Sequence, residues 1–160
     1  MRRVVLVSPS GAVLKNLAEL GLDDSNGAPE DELTVLTWEP QESPAGVRTI
    51  ALGRDDSGTL NGRLRRAAQR VLSGSAAGRN LFRLTPWDGG QRLWRAARRT
   101  PAAVHALQQA DLIVAVERDA ILTVWKSVHS RIAPRAAAVH GLPSARTVLE
   151  EARQASRPSS

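Results

Sequence analysis

Two carboxylates, Glu117 and Asp119, directly follow a short apolar run and are the residues of this sequence best placed to take part in catalysis or ligand binding. The run, residues 110–116, contains β-branched residues and is typical of a strand buried on both faces of a parallel sheet. Four apolar residues then recur at helical spacing, Ala120, Ile121, Val124 and Trp125. A strand, a polar turn and a helix form half of a βαβ unit. Both carboxylates are therefore predicted at the carboxyl end of a strand, where open α/β sheets bind ligands.

This carboxylate pair could act as a general base or orient a sugar hydroxyl. It could equally do no more than favour the N-terminus of the following helix electrostatically. His140, at the end of the last predicted strand, is the third candidate catalytic residue. No serine, histidine and acid can be placed in a triad from spacing alone. A partly buried position without a catalytic role is the expectation for His105, His129 and His140.

Four residues near the ends of the first two strands are candidate ligand-binding residues: Ser8, Ser10, Gly11 and Glu39. The turn at residues 8–11 could hold a phosphate on backbone amides. It lacks the glycine spacing of dinucleotide-binding loops and P-loops, so Ser10 as a simple helix cap is the favoured interpretation. Glu39 stands where dinucleotide folds place a ribose-binding acid, although a solvated strand end is the alternative.

The composition predicts no metal site and no cofactor. There is no cysteine, and the three histidines lack zinc-ligand spacing. The absence of cysteine fits a cytoplasmic protein without disulfides. No segment approaches the length of a membrane span. The apolar run at residues 4–7, which follows Arg2 and Arg3, is too short for a signal peptide and predicts a first strand instead.

The net charge of +6 is unevenly distributed. Residues 63–99 carry ten arginines and one acid, or +9, so the rest of the chain carries −3. Two predicted helices there each show three arginines at i, i+3 and i+7 spacing: Arg63, Arg66, Arg70, Arg92, Arg95 and Arg99. These could bind phosphate backbones, with Trp87 or Trp94 available for stacking. They could also bind an acidic protein or an anionic membrane, or form solvated helix faces with both tryptophans in the core.

The pattern of elements predicts a three-layer, Rossmann-like α/β fold, with a mostly parallel sheet of about five strands and helices on both faces. Strands are predicted at residues 3–7, 33–38, 47–52, 110–116 and 136–140. Helices are predicted at residues 12–20, 60–72, 90–99, 101–109, 120–129 and, with Ser144 as cap, 144–154. The loop between the second and third strands is too short for a crossover helix, so these strands should pair antiparallel or lie at an edge. Residues 1–154 are expected to form one domain, followed by a disordered tail at 155–160.

Three features resemble the amino-terminal, Rossmann-like half of GT-B glycosyltransferases. They are the VVLVSPSGAVL opening, the ADLIVAV strand with its short acidic turn, and the helical region rich in arginine and tryptophan before that strand. The resemblance covers about residues 2–140. In that family the amino-terminal half mainly holds the acceptor, whereas the carboxy-terminal half carries the E-x(7)-E-like signature and the nucleotide-sugar pocket.

No counterpart of that second half is found in this sequence. The resemblance therefore implies a stand-alone acceptor-domain relative, non-catalytic alone, which acts through a homodimer or protein partner that covers the crevice side of the sheet. Two other functions stay open. One is an arginine-rich module for nucleic acid or another polyanion. The other is a small nucleotide- or sugar-binding enzyme that uses crevice residues, namely Ser10, Glu39, Glu117, Asp119 and His140.

Overall fold

A computed structural model describes residues 2–17, 31–53 and 88–155 of the chain. These residues form five strands: β1 (Arg2–Val7), β2 (Asp31–Thr37), β3 (Val47–Ala51), β4 (Leu112–Ala115) and β5 (Ala137–His140). They also form four α-helices: α1 (Gly89–Arg99), α2 (Pro101–Gln109), α3 (Ile121–His129) and α4 (Leu142–Ala155). Two 3-10 turns, Ala12–Lys15 and Arg118–Ala120, follow β1 and β4.

The five strands form one parallel sheet in the order β3-β2-β1-β4-β5. In the central register, Val4 lies beside Leu33 on one side and Leu112 on the other. The central strands are continuously apolar because helices or turns cover both faces, which leaves no solvated side for polar residues. The predicted Rossmann-like α/β fold is confirmed.

The pairing of β2 with β3 differs from one of the two expectations. The strands are parallel, with Leu33 beside Val47, so the antiparallel alternative is wrong, whereas β3 does lie at an edge of the described sheet. The connection at residues 38–46 contains no helix. Nine extended residues reach about 30 Å, which exceeds the roughly 17 Å length of a five-residue strand such as β3. A short extended return is therefore sufficient for parallel pairing.

Two apolar layers enclose the sheet. On one side, which we call the α1–α3 face, residues of three helices pack against alternate strand positions; the buried cluster includes Leu93, Leu107, Val124, Val5, Val7 and Ile113. The opposite side, the α4 face, is covered by α4 and the Ala12–Lys15 turn; its cluster includes Val13, Ala145, Leu149, Val4, Leu6 and Val114. The period-two alternation of Val4 to Val7 between the clusters follows from strand geometry.

The ends of the α-helices follow local capping chemistry, with one departure from expectation. Asp88 caps α1 by accepting a hydrogen bond from Gly90 N at 3.0 Å. Pro101 begins α2, where its missing N–H has no consequence. The predicted capping role of Ser144 is wrong, because α4 begins at Leu142, after Gly141 turns the chain at φ 82°.

The other predicted elements that fall in the described ranges agree with the structure within two residues, except the helix at 12–20, of which Ala12–Lys15 forms a 3-10 turn. The predicted helix at 60–72, the rest of the helix at 12–20 and the tail beyond residue 155 lie outside the described ranges. Within those ranges, no helix is long and apolar enough to cross a membrane.

Candidate functional site

Glu117 connects the carboxyl ends of the two central strands, β1 and β4. Its Oε1 accepts hydrogen bonds from Ser8 Oγ and Ser10 Oγ, both at 2.7 Å, and from Ser10 N at 3.1 Å. The chain continues from β1 to β2 on one side of the sheet and from β4 to β5 on the other. Open α/β sheets bind ligands at such a reversal of strand order. In this protein the Glu117 carboxylate lies at this point and is hydrogen-bonded to the chain's own serines.

This contact defines what the first turn can bind. The Ser10 amide, which could have met a phosphate, already donates to Glu117. Ser10 Oγ also accepts a hydrogen bond from Ala12 N at 3.1 Å, a local turn contact, whereas the N-cap residue of the 3-10 turn is Gly11 and not Ser10 as predicted. Ser8 is fully buried and depends on Glu117 as its acceptor. A phosphate at this turn would have to displace the carboxylate.

Gln41 completes the turn and was missed by sequence analysis. Its Nε2 donates to the Ser10 carbonyl at 2.9 Å. Gly11 adopts φ 72°, and a Cβ at this position would clash with the Gln41 amide. The positive φ therefore favours glycine here, whereas the Gln41 amide is the end of a flexible side chain and could move away from an added Cβ. The available signal was a polar residue placed just after the Glu39-Pro40 end of β2.

The other two candidates on this edge have different surroundings. Glu39 lies on the exposed end of β2, and its backbone carbonyl accepts a hydrogen bond from buried Thr37 Oγ1 at 2.7 Å. The Asp119 carboxylate lies against Gly89 at the N-terminus of α1, where a Cβ on the glycine would clash with it. A carboxylate there is favoured by the partial positive charge of the helix end. Glu117 and Asp119 thus contact two different elements.

All three histidines are exposed, so the expectation that they are partly buried is wrong. His105 lies between the buried positions Ala103 and Leu107, so the turn of α2 directs it outward. His140 ends β5, which lies at the edge of the described sheet. His129 stacks on Trp125 with ring centroids 4.5 Å apart, so the predicted shared helix face is confirmed.

The buried side of α3 also differs from the predicted one. Ile121 and Trp125 were expected to face inward, but 43% and 54% of their surfaces are exposed. Thr123, Val124 and Ser127 are buried instead. Ser127 Oγ donates to the Thr123 carbonyl at 2.8 Å, so this hydroxyl can be buried with its hydrogen bond satisfied. A hydrophobicity pattern does not detect such a residue.

Arginines on α1 occupy two environments. The Arg92 guanidinium lies 5.9 Å from the centroid of the Trp38 ring and is partly buried. Arg95 and Arg99 are exposed, and Arg98, which the predicted stripe did not include, is exposed beside them. Trp94 is buried, with Arg98 and Lys126 over its ring, so its core position is confirmed. The other candidates of this group lie outside the described residues: Arg63, Arg66, Arg70 and Trp87.

The helices of the α1–α3 face carry mainly cationic side chains, with two acids, Asp88 and Asp119, at the N-terminus of α1. Residues 89–109 and 120–140 contain no acidic residue and seven cationic ones: Arg92, Arg95, Arg98, Arg99, Lys126, Arg131 and Arg135. In α4, by contrast, Arg146 and Arg153 are balanced by Glu150 and Glu151. Within the described residues, no group of three His, Cys, Asp or Glu side chains could hold a metal ion.

The arrangement therefore offers two distinct surfaces. One is the carboxyl edge, where a central carboxylate is hydrogen-bonded to the turn beside it. The other is a cationic helical layer with an exposed indole. No protein-family model, no curated protein and no solved structure matches this chain.

Proposed function

We propose that this chain is a Rossmann-like binding domain, similar to the acceptor half of GT-B glycosyltransferases and without catalytic activity of its own. The observation that carries the proposal is the hydrogen bonding of Glu117. A general base must be able to reach the proton that it removes from a substrate. Glu117 Oε1 already accepts three hydrogen bonds from Ser8 and Ser10, and Oε2 accepts from the Ser10 amide at 3.4 Å, so the carboxylate is bound to its own turn.

We further propose that a protein partner or a second copy of the chain covers the carboxyl edge. Exposed residues follow or end several strands at this same edge of the sheet: Ser10, Glu39, Gln41, Asp119 and His140. Ile121, which begins α3 next to this edge, adds an exposed aliphatic side chain. Exposed apolar residues with a polar rim are typical of protein contacts.

Substitution of Glu117 tests whether this carboxylate is structural. Glu117→Ala should lower the free energy of unfolding by about 1–3 kcal/mol, because buried Ser8 Oγ and the Ser10 amide lose their acceptor. Glu117→Gln keeps one acceptor oxygen and is the matched control, with a smaller expected loss. Urea unfolding of both variants measures the difference. Equal stability of Glu117→Ala and the parent would show that the carboxylate is not needed for the fold.

Ligand binding separates the binding-domain proposal from the enzyme alternative. UDP, GDP and their glucose conjugates should leave the melting temperature unchanged. A stabilisation by one of them, lost in Glu117→Ala and Asp119→Ala, would instead support a small nucleotide- or sugar-binding enzyme.

Sedimentation velocity over a wide concentration range tests the covered edge. A dimer should form and should weaken in Ile121→Ser, whereas Arg146→Ser on the α4 face is the control. A single monomeric species at the highest concentration would reject the homodimer form of this proposal.

A second candidate function is binding of a polyanion, which the α1–α3 face favours. Seven cationic residues outnumber the two acids at the N-terminus of α1, Asp88 and Asp119, and give these helices a positive net charge. Binding to heparin that weakens with salt would support this candidate, and no retention at about 50 mM salt would reject it.

A further inference from the structure

We infer that the α1–α3 face binds single-stranded nucleic acid, with its cationic residues at the phosphates and Trp125 stacked against a base. The inference deepens the polyanion-binding candidate and rests on it. It does not depend on the proposal for the carboxyl edge.

The Trp125 indole is held in place on one side and exposed on the other, so a base can stack on it. One side of its indole packs against the His129 imidazole at a centroid distance of 4.5 Å and an interplanar angle of 19°. His129 Nδ1 donates to the Trp125 carbonyl at 2.8 Å, which fixes the imidazole in this position. About half of the Trp125 surface remains exposed. Because the ring is already ordered, less conformational entropy is lost when a ligand stacks on it.

Lys126 follows Trp125 directly in α3 and joins it to the cationic residues of α1. Lys126 Nζ hydrogen-bonds Gln91 Oε1 at 3.3 Å and lies 5.8 Å from the Trp94 ring centroid, which joins α3 to α1. Arg98 lies over the same ring. Arg131 and Arg135 follow α3 and are exposed. Arginine offers planar donor groups that match phosphate oxygens. Proteins that bind single strands combine such a charged track with aromatic rings.

Other occupants fit this surface less well. A second copy would bring two faces of the same positive sign together, which is unfavourable. A lipid surface needs a broad apolar face for insertion, whereas α3 has nine residues and exposes two large apolar ones, Ile121 and Trp125. In duplex DNA the bases are stacked inside and do not meet an indole on the protein surface. A single strand offers both phosphates and free base faces.

The test is a fluorescence-anisotropy titration of the full chain with a labelled 20-nucleotide oligothymidylate at about 50 and 200 mM salt. Trp125→Ala should weaken binding about tenfold or more, because stacking on that base is lost. Trp125→Phe should retain most of the affinity. The control Gln154→Ala, at an exposed position of α4 on the opposite side of the sheet, should bind like the parent.

Charge is tested separately. In the triple variant with Arg98, Arg131 and Arg135 changed to Gln, the slope of log affinity against log salt should fall by about 2, as about 0.7 is lost for each phosphate contact with a single strand. Arg146→Gln on the α4 face should leave the slope unchanged. A slope in the triple variant that is the same as in the parent and in this control would overturn the assignment of the surface.

Three outcomes overturn the inference in different ways. If Trp125→Ala and the parent bind the oligonucleotide with the same salt-dependent affinity, the face binds polyanions in general and Trp125 does not stack on a base. Binding to phosphatidylserine vesicles but not to the oligonucleotide would assign the face to lipid. No binding to oligonucleotide or heparin at low salt would remove the polyanion candidate as well, and would leave the proposal for the carboxyl edge intact.

Discussion

The two faces of the sheet are alike inside and different outside. Beneath the α1–α3 face, Leu93 and Leu107 are buried against the strands, and beneath the α4 face Leu149 is buried in the same way. On the outer surfaces, the first face has seven cationic residues and no acid within residues 89–109 and 120–140. Within α4, arginine and glutamate are balanced. Burial thus restricts the inner surface of each layer to apolar residues. The outer surface has no such restriction, so its charge can differ between the two faces and can serve binding.

The largest expected effects on stability test whether the apolar clusters beneath the two faces of the sheet are equally well packed. Leu93→Ala and Leu149→Ala should each lower the free energy of unfolding by about 2–5 kcal/mol, because each removes a fully buried side chain and leaves a cavity. Urea unfolding followed by circular dichroism measures both. A large loss in one variant and none in the other would show that only one layer forms a true core. Ile121→Ala, at an exposed position, should cost far less than either.

An intermediate effect is expected where the α4 face meets the amino edge of the sheet. Arg153 pairs with Asp31, whose side chain is only 5% exposed, at 3.0 Å. Arg153→Ala should cost about 2 kcal/mol, because it leaves a nearly buried carboxylate without its cation, although solvent reaches the arginine side and reduces the effect.

Arg146→Ala is the matched control on the same helix. It breaks an exposed i, i+4 pair with Glu150 and should cost less than about 0.5 kcal/mol. If chemical denaturation gives both variants the same stability, burial of Asp31 does not strengthen its ion pair.

The smallest expected effect on stability compares the electrostatic environments of the two outer surfaces. Arg135→Glu should leave the stability within about 0.5 kcal/mol or raise it slightly at low salt, since it places an acid among cations. Arg146→Glu should lower stability by about 0.5 kcal/mol, because it replaces an attractive pair with Glu150 by a repulsive one. Thermal melts at about 20 mM salt compare them. A loss in Arg135→Glu as large as in Arg146→Glu would contradict a predominantly cationic α1–α3 face.

Strand positions and the place of the site were predictable because both follow from local patterns. Continuous apolar runs located β1, β2 and β4, and the acid after β4 located Glu117 at the carboxyl edge. The turn at residues 8–11 was likewise predictable, although Gly11 and not Ser10 is the N-cap residue.

The tertiary contacts of the site could not be predicted from the sequence. Glu117 and Ser8 are separated by 109 positions, and no local pattern shows that one accepts from the other. Gln41 depends on how the connection after β2 returns past Ser10. Ser127 is buried with an internal hydrogen bond while Trp125 is exposed, and a hydrophobicity pattern predicts the opposite for both residues.

The parallel sheet has a consequence for how the chain acquires its structure. No pair of neighbouring described strands is a hairpin, and even the pairing closest in sequence, β2 with β3, joins residues 14 positions apart, Leu33 and Val47. Val4 in β1 pairs with Leu112, which is synthesised 108 residues later. At a translation rate of about 5–20 residues per second, that interval is roughly 5–20 s. Such distant pairing also slows folding. The apolar edge of β1 that β4 later covers is therefore unprotected during synthesis, when a chaperone would be most useful to this protein.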